Sequence, residues 1–350
     1  MKTFARNTFF ELAVLLCWLA TFAIGYKAFL FQDDVLTVSL MGAFNSSVNL
    51  IIGVITMLMP LGLFLTVKKG KLWFAGTLII FTVFCLLDVS RLTPYFICYL
   101  SLFLIANVFR NDPGQLEKGL IVLLVTVYLF SGLNKFNDQF HERILPLVWF
   151  HSLPFQPSKG IGYLVAASEI MFGLLLLFKR TRKLACTLLI FMHVVLLWKL
   201  SPFKWNWNAI VYPWNFAMMA VLVFLFRSSV SFYGESLTPK LKTLAILLFV
   251  VPALSYVDVL PDNLGYKLYS GNWYAPDFKI NKKLPLFQDY DKSMRENESI
   301  LNPMFYSIQE RALAVSPEIW VFERIARNIE VKYGTQVTIK PNHELSKPSR

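Results

Sequence analysis

Apolar residues run in long blocks along this chain, broken by short polar or basic turns. Nine blocks stand out, at roughly 9–31, 46–67, 72–90, 94–109, 118–135, 161–178, 183–199, 208–226 and 240–258. Each approaches the ~20 residues that carry a helix across a bilayer, the fourth and seventh falling short of it. Helix is the predicted form, because in lipid every backbone amide must be satisfied within its own segment. Beyond residue 258 the blocks stop. In SPEIWVFERIARNIEVKYG, Ile319, Phe322, Ala326 and Ile329 recur at helical spacing behind Ser316 and Pro317, which predicts a helix over 316–332. Gln336–Lys340 suits a short strand, and the closing HELSKPSR reads as a frayed end.

Composition sharpens the picture. The 350 residues are 56% hydrophobic and 16% charged, whereas soluble domains carry about 25% charge. A soluble enzyme is excluded. The predicted fold class is an all-α polytopic membrane protein of about nine transmembrane helices, with a small extracytoplasmic C-terminal α+β domain. Residues 1–258 form the transmembrane helical bundle and 259–350 the C-terminal domain. With the N-terminus inside, fourteen Lys and Arg fall in inner loops and seven in outer loops or span ends. That bias fixes an N-in, C-out orientation by the positive-inside rule. The net charge of +12 is therefore a matter of loops and anionic headgroups, with no nucleic acid implied. The run that begins at Phe9 is too long for the core of a signal peptide and reads as the first span. Cys17, Cys85, Cys98 and Cys186 all lie in or beside apolar blocks without CxxC spacing. Inert buried thiols are expected, with no disulfide framework and no metal.

Polar groups inside the apolar blocks are the candidate chemistry. The stretch VYLFSGLNKFND runs from membrane-like sequence into Asn134, Lys135 and Asn137 behind Gly132. A charge at membrane depth costs about 2.5–3.5 kcal/mol on insertion scales, so such groups usually mark a site. A lone lysine at a helix end would ordinarily snorkel to the headgroups. Here it has company. Glu169 sits near the middle of the sixth block, and His193 lies deep in the seventh with Lys199 six residues on. Asn206, Asn208, Trp214 and Asn215 follow around Pro213. The step Ala166–Ala167–Ser168, with Gly162 and Gly173, lets the sixth span pack closely, so that Glu169 faces protein. Glu169 could instead be a protonated helix–helix hydrogen bond, and His193 a satisfied structural donor. Trp149, Phe150, Phe155, Phe203, Trp205, Trp207, Tyr212 and Trp214 crowd the outer face, either as an interfacial belt or as a vestibule. If the groups converge, the predicted site uses Lys135, His193 and Glu169 for acid–base chemistry. Asn134, Asn137, Lys199, Asn208 and Trp214 would then contact a bound lipid-soluble molecule.

The order SGLNKFN, an intramembrane acid in SEIMFGLLLLF, the basic loop KRTRK and then MH resembles the membrane region of vitamin K-dependent gamma-carboxylase. More broadly it resembles the horizontally transferred transmembrane (HTTM) family. The resemblance is best over 118–226, and KLYSGN after the last block also resembles bacterial relatives. It implies a bacterial inner-membrane location, a quinone as the lipid-soluble cofactor, Lys135 as the base and His193 as its assistant. Asn134 stands where the carboxylase has the first of two paired lysines, and the roughly 90-residue tail is much shorter than the carboxylase's lumenal domain. Small quinone-associated membrane proteins of the DoxX type share the Gly-x-x-Lys helix end. Two readings stay open. One is an enzyme using a quinone or similar lipid at the outer face. The other is a non-enzymatic membrane partner in the maturation or export of a secreted peptide, or in a redox complex. A transporter is disfavoured, since no inverted repeat appears.

Overall fold

A computed structural model describes residues 2–33, 35–42, 44–65, 70–146, 157–201, 203, 208–232, 237–267, 270–271, 275–293 and 297–340. Trp149, Phe150, Phe155, Trp205, Asn206, Trp207 and the closing HELSKPSR lie outside the described residues.

Every apolar block contains a helix. In chain order these are α1 (Lys2–Ile24), α2 (Tyr26–Leu30), α3 (Ser46–Leu65), α4 (Gly70–Leu87), α5 (Pro94–Val108), α6 (Pro113–Leu133), α7 (Lys159–Leu175), α8 (Arg182–Leu200), α9 (Val211–Phe226) and α10 (Pro239–Tyr256). Among the described residues, Gly70–Leu87, Pro113–Leu133, Arg182–Leu200 and Pro239–Tyr256 are long and apolar enough to cross a membrane, by length and composition. Residues 9–31, expected as one helix, are two. The chain turns at Gly25, where a β-carbon would strike the Phe29 ring at 2.4 Å.

An aromatic core joins the bundle. Trp18 of α1 meets Phe96, Tyr99 and Phe103 of α5 edge-on, with centroids 5.1 to 5.8 Å apart, a favourable geometry for ring quadrupoles. Its indole nitrogen donates to the Met57 carbonyl at 2.9 Å.

The tail forms a second hydrophobic cluster. Strands β1 (Asp277–Ile280), β2 (Ser299–Leu301) and β3 (Val337–Lys340) make an antiparallel sheet in the order β2–β1–β3. Helix α11 (Pro303–Arg311) and helix α12 (Ile319–Tyr333) accompany it. Val321, Phe322, Ile325 and Ile329 of α12 pack with Phe278 and Ile280; of the stripe expected from spacing, Phe322, Ala326 and Ile329 are buried, whereas Ile319 in the first turn is exposed and Val321 takes its place. Val35, Leu36 and Val38, from the segment after α2, belong to this same cluster, and Asn328 donates to the Val35 carbonyl at 3.0 Å.

Candidate functional site

The site is built where α6 and α7 run antiparallel. Helix α6 starts cleanly, because Asp112 accepts from the Gln115 amide at 3.0 Å and Pro113 occupies its first turn. On α7, Gly162, Ala166, Glu169 and Gly173 recur at four- and three-residue steps and are its buried positions. Close approach depends on the missing side chains. A β-carbon on Gly132 of α6 would lie 2.8 Å from the Ala166 carbonyl oxygen, and one on Gly173 would lie 2.8 Å from Cβ of Tyr128.

Lys135 and Glu169 meet in this seam. Lys135 Nζ donates to Glu169 Oε2 at 2.5 Å, to Ser131 Oγ at 2.7 Å and to the Ser131 carbonyl at 3.3 Å. Both side chains are 9% exposed. All three ammonium protons therefore have acceptors, which is what a buried ion pair requires.

A second chain of bonds lies deeper. Tyr128 lies on α6 seven residues before Lys135, which sits in the turn just past the end of that helix. The Tyr128 hydroxyl is 2.8 Å from His193 Nε2 and His193 Nδ1 is 2.7 Å from Asn215 Oδ1, while Asn215 Nδ2 donates to the Val211 carbonyl at 2.7 Å. That last bond orients the amide, so Oδ1 must accept. Nδ1 then carries a proton, and Nε2 shares a hydrogen bond with the Tyr128 hydroxyl. His193 is the middle link of a closed chain.

Asn134 and Asn137 serve the backbone. Asn134 Nδ2 donates to the Phe130 carbonyl at 2.8 Å and to the Gly265 carbonyl at 2.9 Å. Asn137 Nδ2 donates to the Asn134 carbonyl at 2.7 Å and to the Ser270 carbonyl at 2.9 Å, and its Oδ1 accepts from the Phe140 amide at 2.8 Å. These two amides tie the segment after α10 to the end of α6. Gly271 sits there at φ +75°, and a β-carbon on it would lie 2.8 Å from the Phe140 nitrogen.

Above the seam, residues 140–144 form a short π-helix. The His141 ring is buried against Tyr163, centroids 4.2 Å apart, and faces Gly162, where a β-carbon would overlap it. Neither ring nitrogen has a hydrogen-bond partner. Burial pulls the His141 pKa below its ordinary value, with Lys159 adding to the effect and Asp138 and Glu142 opposing it. Lys159 bridges Asp138 at 2.9 Å and Glu142 at 3.0 Å on the exposed side of this turn.

The remaining expected residues stand apart. Trp214 lies in the aromatic core, edge-on to Tyr99 at 6.3 Å. Asn208 forms a turn at φ +50°, its carbonyl accepting from the Val211 amide at 3.1 Å. Lys199 is half-buried on α8, and no described hydrogen bond or ion pair joins it to Lys135, Glu169 or His193. Helical geometry explains the separation, since six residues turn Lys199 well off the face that carries His193. Conversely, Tyr128 and Ser131 complete the two networks. Their i, i+3, i+7 spacing to Lys135 was the available signal. At the other end, Arg182, expected as a loop cation, is buried and donates to the Leu176 carbonyl at 2.8 Å and the Val230 carbonyl at 2.9 Å.

Neither a search of curated proteins nor one of solved structures finds a match. Residues 115–205, which run from α6 through α8, match the family model of methylamine utilisation protein MauE. The matched stretch is about a quarter of the chain. It overturns the resemblance to the HTTM family and the carboxylase. SGLNKFN, SEIMFGLLLLF, KRTRK and MH all fall inside it. Such short motifs mislead because glycine at a close contact and a buried polar pair are devices that many packed membrane helices share. The segment holding Lys135, Glu169 and His193 is thus similar to MauE, and with its apolar helices the protein is an integral membrane protein in contact with the lipid bilayer.

Proposed function

We propose that this protein is a non-enzymatic membrane accessory of a redox or amine-utilisation system, working beside an exported protein partner. The observation that carries the reading is the match of residues 115–205 to methylamine utilisation protein MauE, which falls on the three helices whose polar groups are locked to one another. Lys135 Nζ is engaged by Glu169 Oε2 and twice by Ser131, which opposes its use as a base. A quinone carbonyl would need a hydrogen-bond donor. The protons of Lys135 are all accepted within the seam, and the Tyr128 hydroxyl and both His193 ring nitrogens are engaged with each other or with Asn215. These residues do not fit a quinone, so neither a quinone nor the expected catalytic roles enter this reading. The polar groups instead hold α6–α8 rigid and, through Asn134 and Asn137, fix the start of the tail.

In this reading the chain crosses a bacterial inner membrane nine times with its N-terminus inside. The tail lies outside, where it meets the partner. The basic bias of the alternate loops supports that arrangement. Deletion of the gene in its host tests the function. Growth on methylamine should fail and growth on an unrelated nitrogen source should not. Equal growth of the deletion strain on both would overturn it.

A further inference from the structure

The segment between α2 and α3 touches both the tail and the bundle. Val35, Leu36 and Val38 lie in the tail's hydrophobic cluster, and Asn328 of α12 donates to the Val35 carbonyl at 3.0 Å. Just beyond them the side chains turn outward. Leu40 is 60% exposed and Met41 57%. They form an apolar tip on a stretch, residues 35–45, that carries no charge.

The neighbouring helices fix the height of this tip. The Leu40 amide donates to the Leu86 carbonyl at 2.9 Å and Ser39 Oγ to the same carbonyl at 3.2 Å, while the Val89 amide donates to the Val38 carbonyl at 3.0 Å. Leu86 stands in the last turn of α4, which is long and apolar enough to cross a membrane. Its 18 residues rise about 27 Å, close to the ~30 Å of a hydrocarbon core. The last turn of α4 therefore lies where acyl chains meet headgroups, and the tip lies beside it. On the other side the chain reverses at Gly42, φ +82°, and α3 opens at Ser46 with Val48 and Ile51 exposed near its start. The tip is thus continuous with the apolar outer surface of a bundle helix.

Irregular backbone near hydrocarbon needs its amides satisfied within the protein. The Leu40 amide has the Leu86 carbonyl, and the Met41 amide donates to Ser39 Oγ at 3.0 Å.

We propose that Leu40 and Met41 insert into the phospholipid boundary on the tail's side of the membrane. Residues 35–41 then form a strap, one end in the tail's core and the other in lipid, that pins the tail to the bilayer surface. Such seating requires that α4 spans and is independent of the accessory role proposed above.

The test uses the full-length protein in phospholipid vesicles, with Cys17→Ala and Cys85→Ala and the buried Cys98 and Cys186 left in place. Bimane is attached at Leu40→Cys, at Met41→Cys and, as a reference in the tail, at Val331→Cys, where the valine is 80% exposed near the far end of α12. Phospholipids carrying a nitroxide near the top of the acyl chain should quench positions 40 and 41 about twofold or more beyond position 331, as at a depth of about 5–10 Å. Quenching no stronger than at 331 at either position overturns the proposal. Aqueous iodide then tells why: access marks a loop in water, and exclusion marks a tip covered by protein. If one variant fails to insert, the other decides by the same comparison.

Discussion

Lys135 Nζ and Glu169 Oε2 stand 2.5 Å apart in a seam that leaves each side chain only 9% exposed. The pair is made possible by residues with no charge at all. Gly132, Gly162, Ala166 and Gly173 let α6 and α7 come close enough for the two side chains to meet.

Breaking one half of such a pair leaves an unbalanced buried charge. Lys135→Met and Glu169→Gln should each destabilise the protein by about 3–5 kcal/mol, whereas Lys135→Met combined with Glu169→Leu should recover most of that loss. Unfolding of the purified variants in mixed detergent measures this. Additive losses in the double variant would show that the two residues are not energetically coupled.

The seam itself makes a prediction about glycine. Gly132→Ala forces a β-carbon to within 2.8 Å of the Ala166 carbonyl oxygen and 2.5 Å of Ile170. It should destabilise by about 1–3 kcal/mol. Gly160→Ala, whose β-carbon would meet Ser158 Oγ at 3.6 Å, should fall within about 0.5 kcal/mol of wild type. Thermal unfolding of the two proteins side by side distinguishes them.

His141 predicts the direction of a pH effect. Its folded pKa is depressed, chiefly by burial, so the unfolded chain binds more protons as pH falls. The stability that His141 contributes is complete above the ordinary histidine pKa of about 6.5, and declines as pH drops through the folded value. His141→Gln should flatten that decline. An identical pH profile in the variant would place the titrating group elsewhere.

How much of this could be read from the sequence differs by length scale. The helices announce themselves through long apolar blocks, and α12 through Phe322, Ala326 and Ile329, because burial of one face dictates spacing; Ile319, in its first turn, shares the spacing but is exposed. The break at Gly25 was invisible, since it depends on Phe29 turning back against the chain. Lys135 and Glu169 stood out as charges in apolar surroundings, and small residues beside Glu169 showed which way it faces. Trp214 carried no comparable signal. An aromatic near the end of a span reads the same whether it serves a pocket or, as here, the core around Tyr99. The tail contacts were also hidden. Asn134 reaches Gly265 and Asn137 reaches Ser270 across more than a hundred residues, a pairing with no local pattern. The family resemblance failed where short motifs were asked to carry identity.

The orientation can be tested without knowing the function. A thiol placed in the tail by Asn297→Cys, an exposed position, should react with a membrane-impermeant maleimide in intact cells. A thiol placed at the start of α10 by Lys240→Cys should react only after permeabilisation. The opposite pattern would invert the topology.

One complementation experiment separates a structural Lys135–Glu169 pair from a functional docked tail. A strain lacking the gene would carry either the apolar double variant Lys135→Met with Glu169→Leu, or Gly271→Val. The latter puts a β-branched side chain at φ +75° against Phe140. Both proteins would first be shown to insert and accumulate, and growth on methylamine would then be scored. Growth with the apolar pair and failure with Gly271→Val are expected. An inserted, stable double variant that cannot support growth, beside a Gly271→Val protein that can, would contradict both expectations and return the chemistry to Lys135.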